Sequence, residues 1–237
     1  MTRADARNFG QSLVNVSICF DLDGTLVDTA PDLVRVTNEV IAQEGLPETN
    51  YRLARAVVGF GSRRLISDAL ARGGKSVSAE RMDELQQDFL KRYANSIADH
   101  SAPYPGVIET LQSLKDLGAS LNVCTNKPGW LARPLLSELA MAHWFDRIVG
   151  GDDARASKPS PLHIFDAAGH QSSDHIVMVG DSWPDMESAR RAGAFSVLVT
   201  YGYSHTPQIQ LRAGTRLRSF RSLIPTLMDH FGSAPKS

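Results

Sequence analysis

The apolar positions of the chain fall into two textures. Val16-Ser17-Ile18-Cys19-Phe20 is a short apolar run, the pattern of a buried strand. Thr29-Ala30-Pro31-Asp32 then has the pattern of a capping box with proline in the first turn. Leu33, Val36, Val40 and Ile41 follow at helical spacing and predict a helix to about Glu44, stopped by Gly45-Leu46-Pro47. Residues 50–101 read as helical throughout. Leu65, Ala69 and Leu70 mark a short helix closed by Gly73-Gly74, and Met82, Leu85, Phe89, Tyr93 and Ile97 mark a longer one starting near Ser78. From Tyr104 onward strand-like and helical segments alternate. Helices are predicted over 106–117, 129–140, 161–169, 184–192 and 222–231, and strands over 119–124, 145–149, 175–180 and 195–200.

Strands alternating with helices imply a parallel sheet covered on both faces, an α/β fold of the Rossmann-like, doubly wound kind. Helices inserted after the first strand imply a second, smaller domain. The expected division is a discontinuous α/β core over 16–29 and 102–231, a helical insertion over 30–101, and flexible tails at 1–15 and 232–237.

Composition narrows the function without naming it. Lys+Arg 25 against Asp+Glu 26 leaves a net charge of -1, no electrostatic footprint for nucleic acid or an anionic membrane. No apolar run is long enough to span a bilayer, and the N-terminus lacks the apolar core of a signal peptide. The two cysteines, Cys19 and Cys124, both lie in apolar runs and read as buried hydrophobes in a reducing compartment. The expectation is a cytoplasmic protein, monomer or homodimer, with neither nucleic acid nor membrane as partner.

Ligands of open parallel sheets bind outside the carboxyl ends of the strands, and four such ends carry polar residues here. They are Asp21 and Asp23; Thr125-Asn126-Lys127; Lys158-Pro159, on the loop before a helix; and Gly180-Asp181-Ser182, followed by Asp185. Taken singly, Thr125-Asn126 or Asp181-Ser182 is an ordinary helix cap, Lys158 a solvated loop lysine and Asp185 a complement to a helix dipole. Four coincident strand-end clusters point instead to phosphoryl transfer. The phosphate needs donors and positive charge, which Thr125, Asn126 and Lys158 supply. Neighbouring aspartates need a hard cation such as magnesium. One aspartate is able to act as nucleophile and another to exchange protons with the leaving oxygen.

These motifs, in this order, resemble the haloacid dehalogenase superfamily of phosphatases, and the resemblance runs from about residue 16 to 229. Leu26-Val27-Asp28-Thr29-Ala30-Pro31-Asp32-Leu33, Tyr104-Pro105-Gly106-Val107, Cys124-Thr125-Asn126-Lys127-Pro128 and Tyr201-Gly202-Tyr203 further resemble phosphoglycolate phosphatases. The resemblance implies that Asp21 attacks phosphorus and that Asp23 serves the leaving group and then the attacking water. It implies that Asp21, the backbone carbonyl of Asp23 and Asp181 hold Mg2+, with Asp185 supporting them. Thr125 and Lys158 would bind the phosphate with Asn126 beside them, and residues 30–101 would form a cap that excludes water. One departure stands out: Lys158-Pro159-Ser160-Pro161-Leu162 is shorter than the family's usual run of alternating prolines, which is expected to shift the following helix.

Gly59-Phe60-Gly61-Ser62 resembles a substrate-facing cap loop, and Arg63 or Arg64 after it would suit the carboxylate of a small acid; a solvated helix face explains both arginines equally well. Gly74-Lys75-Ser76 mimics a P-loop but has Ala69 where that motif needs glycine. His163, His170 and His175 show no ligand spacing and read as surface or capping residues. The leading expectation is a Mg2+-dependent phosphatase of a small phosphorylated metabolite, 2-phosphoglycolate first. Alternatives are a phosphatase of another sugar phosphate or of pyrophosphate, a phosphomutase, or a non-enzymatic phosphoacceptor signalling or binding module. A receiver domain fits poorly, because it lacks both the helical insertion and the Asp-x-Asp pair.

Overall fold

The computed structural model describes residues 12–204 and 211–231; the expected tails at 1–11 and 232–237 lie outside them. Six strands form one parallel sheet: β1 (Ser17–Phe20), β4 (Ser120–Cys124), β5 (Arg147–Val149), β6 (Ile176–Gly180), β7 (Phe195–Val199) and β8 (Thr215–Leu217), in the order β5-β4-β1-β6-β7-β8. A separate antiparallel pair joins β2 (Val27–Asp28) to β3 (Ala102–Pro103). Alternation along the strands sorts side chains to the two faces. Ile18, Phe20, Leu121, Val123, Val177 and Val179 share one apolar cluster with residues of α5 (Val107–Asp116), α6 (Gly129–Glu138) and α9 (Leu223–Phe231). Cys19, Cys124 and Met178 face the other way, onto α7 (Pro161–Ala168) and α8 (Trp183–Ala192).

Between β2 and β3 the chain is helical: α1 (Ala30–Ala42), α2 (Tyr51–Arg55), a 3-10 turn at Val58–Phe60, α3 (Ser62–Arg72) and α4 (Ala79–Asn95). α1, α3 and α4 pack on one another around Val36, Val40, Leu65, Ile66, Phe89 and Tyr93, all buried. This apolar cluster is continuous with the sheet's own.

Several local expectations change. The chain is anchored before residue 16: Leu13 is fully buried and its N–H donates to Leu117. Its apolar side chain finds the turn after α5, which no local pattern announces. Thr29 makes no side-chain cap to α1. Its hydroxyl donates to Asp23 instead, at 2.7 Å, and Asp32 accepts from the backbone of His100 and Ser101. Thr29 therefore ties the start of α1 to the sheet edge, and Asp32 ties α1 to the returning chain at 100–101, rather than closing a capping box. His163, expected at the surface, is fully buried. β2, β3 and β8 are two or three residues long, too short to show a period.

Candidate active site

Parallel register brings the chemistry together. Phe20 at the end of β1 pairs with Val123 of β4 and with Val179 of β6, so Asp21, Thr125 and Asp181 leave the sheet at one edge. Gly24, at φ +86°, turns the chain just beyond; a Cβ there would lie 2.8 Å from Asp181 Oδ2. Only glycine lets this loop close onto that carboxylate.

Lys158 Nζ lies 2.9 Å from Asp21 Oδ1 and 2.7 Å from Asp185 Oδ1. Its side chain is buried, which works against its charge, but Asp185 and Asp21 more than offset this and hold the ammonium protonated. The Lys158 backbone is fixed from two sides. Asn126 Nδ2 donates to its carbonyl at 3.0 Å while Asn126 Oδ1 accepts from its N–H at 3.0 Å. His163 Nδ1 accepts from the same N–H at 3.3 Å, and its Nε2 lies 3.1 Å from the carbonyl of Val149. The side-chain amide of Asn126 therefore orients the lysine loop. The shortened loop after Lys158 is accommodated by Ser160, whose hydroxyl accepts from Leu162 N–H and starts α7 at Pro161.

Asp185 is fully buried and does two jobs. One oxygen meets Lys158, and the other accepts from Ser182 N–H (3.0 Å) and Ser182 Oγ–H (2.6 Å) in the capping box of α8. Asp21, Asp181 and Asp185 each offer an oxygen within 4.8 Å of the others. Three buried carboxylates against one ammonium leave an excess of negative charge. Burial, with Asp185 and Asp23 adding to it, lifts Asp21 to about 6 despite Lys158. Burial, then Asp185 and Asp21, raise Asp181 well above the carboxylate range. Hard, crowded oxygen donors of this kind are what a divalent cation such as Mg2+ requires.

Asp23 stands on the other side of the turn. Thr29 Oγ1 donates to it, and Lys127 Nζ lies 3.1 and 3.2 Å from its two oxygens. Lys127 also donates to the hydroxyl of Tyr93, on α4, at 2.9 Å. Thr125 is buried, and its hydroxyl accepts from Lys127 N–H. Asp21, Asp23, Tyr93, Thr125, Asn126, Lys127, Lys158, Asp181 and Asp185 line one cavity of about 580 Å³, with Thr29 and His163 behind it. Its opposite wall comes from the insertion: the turn 58–62, Leu65, Phe89 and Tyr93, with Phe60 and Trp183 exposed. Arg63 reaches the cavity but is paired with Asp83 and donates to Gln86 at 3.1 Å. Arg64 is exposed and does not line the cavity: adjacent positions on α3 point about 100° apart.

The family model described as haloacid dehalogenase-like hydrolase matches residues 18–199. The chain belongs to that family. A phosphoglycolate phosphatase of Caulobacter vibrioides is 44% identical, covering 94% of this chain and 95% of its own. An N-acetylmuramic acid 6-phosphate phosphatase of Pseudomonas aeruginosa is 36% identical, covering 80% and 83%. Among solved structures, a predicted phosphoglycolate phosphatase from Haemophilus somnus superposes with a TM-score of 0.83 at 30% identity, over 92% of this chain and 100% of that one.

In this haloacid dehalogenase-like hydrolase, sequence reasoning missed four side chains at the site. Lys127 lay in plain view inside Thr125-Asn126-Lys127 but carried no assignment. Thr29 has the local pattern of a helix cap, and Tyr93 that of an apolar helix face. His163 has no local signal at all, because its partners lie on β5 and on the Lys158 loop.

Proposed function

We propose that the chain is a Mg2+-dependent phosphatase that hydrolyses a small-metabolite phosphomonoester through an aspartyl-phosphate, with 2-phosphoglycolate the leading substrate. The observation that carries this reading is the buried Asp21 carboxylate held 2.9 Å from Lys158 Nζ, next to Asp181 and lining the cavity. An Asp21 oxygen attacks phosphorus as the bond from phosphorus to the substrate oxygen breaks. Asp23 gives that oxygen a proton, then takes one from the water that attacks phosphorus and releases Asp21. Lys158 and Thr125 hold the phosphoryl oxygens, and Asn126 and His163 keep Lys158 in place. Asp21, Asp181 and the Asp23 backbone carbonyl would hold Mg2+, which would offset the phosphate's charge, and Asp185 anchors Lys158 beside them. Residues 30–101 act as the cap that shuts out water.

A second reading, a phosphatase of a bulkier sugar phosphate, draws on the cavity. At about 580 Å³, with Phe60, Leu65 and Phe89 in its wall, it exceeds what a two-carbon acid fills. A metabolite panel assayed with magnesium separates the two: 2-phosphoglycolate is expected to show the highest kcat/KM, and a sugar phosphate outranking it selects the second reading. Asp21→Asn should abolish turnover of every ester with an unchanged circular dichroism spectrum. Residual multiple turnover by that variant overturns the nucleophile assignment.

A further inference from the structure

Three cationic side chains line the cavity among the described residues, and they are not equivalent. Lys158 is held between Asp21 and Asp185. Arg63 is half-exposed and paired with Asp83. Lys127 has a side chain only 5% exposed, yet it borders the cavity. Its Nζ meets Asp23 from the sheet edge and the hydroxyl of Tyr93 from α4, whose ring centroid is 4.5 Å away. Burial opposes its charge; Asp23 and Tyr93 outweigh that and keep it protonated.

An ammonium has three N–H groups. The near-equal distances of 3.1 and 3.2 Å let a single N–H be shared by both oxygens of Asp23. A second goes to Tyr93, which leaves a third unclaimed among the described residues on a side chain that lines the cavity. On the phosphatase reading above, on which this inference rests, Asp23 stands beside the departing oxygen. A group two bonds from that oxygen therefore falls close to Lys127. No neutral polar group would draw on a desolvated ammonium as strongly as an anion does.

We propose that Lys127 binds the carboxylate of the leaving group, so that the site selects short 2-phosphoryloxy carboxylates, while it orients Asp23. One lysine then couples recognition of the acid to the residue that serves its oxygen, and Tyr93 brings α4 into the same contact.

The test compares 2-phosphoglycolate with the O-phosphate of glycolamide, its neutral isostere, and follows the ratio of their kcat/KM values. Loss of Asp23 orientation lowers both substrates and cancels in the ratio. The native protein should favour the acid by about tenfold or more, the scale of one charge-assisted hydrogen bond, chiefly in KM. Lys127→Met should bring the ratio near one, Lys127→Arg should keep much of it, and Arg63→Gln should leave it unchanged. If Lys127→Met is too slow to assay, calorimetric binding of both esters to Asp21→Asn and to Asp21→Asn/Lys127→Met gives the same comparison. A ratio that survives Lys127→Met, or one that Arg63→Gln removes, overturns the assignment. A native protein that hydrolyses p-nitrophenyl phosphate but does not prefer the acid sinks this inference alone. One that hydrolyses no phosphomonoester sinks the phosphatase reading as well.

Discussion

His163 shows how a single buried side chain makes the fold around Lys158 depend on pH. Burial, reinforced by the nearby Lys158 charge, lowers its imidazole from 6.5 to about 4, so in the folded protein it is neutral over the physiological range and free to accept from Lys158 N–H. The unfolded chain binds a proton at this residue between those two values and the folded chain does not. The stability this linkage supplies is therefore fully present above pH 6.5 and is lost as the pH falls toward 4, by about 3 kcal/mol for a shift of that size. Urea midpoints recorded from pH 7 to pH 4 should fall more steeply for the native protein than for His163→Gln, which titrates nowhere in that interval. Equal slopes would remove the imidazole from the account. Residues differ in how openly the sequence displays them. Asp21, Asp181 and Thr125 follow directly on apolar strands, and the strand itself tells where their side chains emerge. His163 and Tyr93 sit on apolar helix faces among ordinary core positions, and only the packing of one element on another gives them polar partners.

Elements carry the next lesson, in the two candidate helix caps. The sequence offers Thr29 with Asp32 and Ser182 with Asp185 as hydroxyl-carboxylate pairs at the same spacing. Only the second closes as a capping box. Thr29 donates its hydroxyl to the Asp23 carboxylate, Pro31 offers the cap no N–H, and Asp32 is taken by Ser101 and His100. Local pattern cannot rank such competitors, because they arrive from elsewhere in the chain. At α8 nothing competes, and the box holds Asp185 while it points its other oxygen at Lys158. Ser182→Ala should cost about 1 kcal/mol of stability, the usual scale for losing an N-cap, read from the denaturant midpoint. A neutral result would mean that Asp185 keeps the helix end satisfied by itself. The alternating strands and helices were legible because each spans several periods, whereas β2, β3 and β8 are too short to display one.

At the scale of the whole molecule, the sheet edge gathers more negative charge than its own lysine balances. Folding without a cation then works against Asp181, whose burial and neighbours oppose its ionised form. Asp181→Asn should therefore raise the melting temperature of the metal-free protein while abolishing activity. If the site holds Mg2+ as proposed, excess magnesium should stabilise the native chain, by about 2.7 kcal/mol at a hundred times the dissociation constant, and the same variant should erase that gain. A variant less stable than the native protein in chelator would show that Asp181 serves the fold and not the cation. The α/β class is legible from alternation, and the sheet-edge motifs from the polar residues that end each apolar run. The continuity of the apolar cluster from the sheet into the insertion is not, since it depends on how α1 seats against the core.

The short β2–β3 pair has a consequence beyond the site. Val27 lies opposite Pro103 and Asp28 opposite Ala102, so the chain departs from the sheet-bearing half and returns to it through adjacent rungs of a single ladder. A segment whose two ends meet in this way is a plug-in part. A change in its length makes no demand on the distance its host must span. A change of length between those rungs alters the wall that faces the cavity, while Asp21, Asp181 and Lys158 stay on the sheet side.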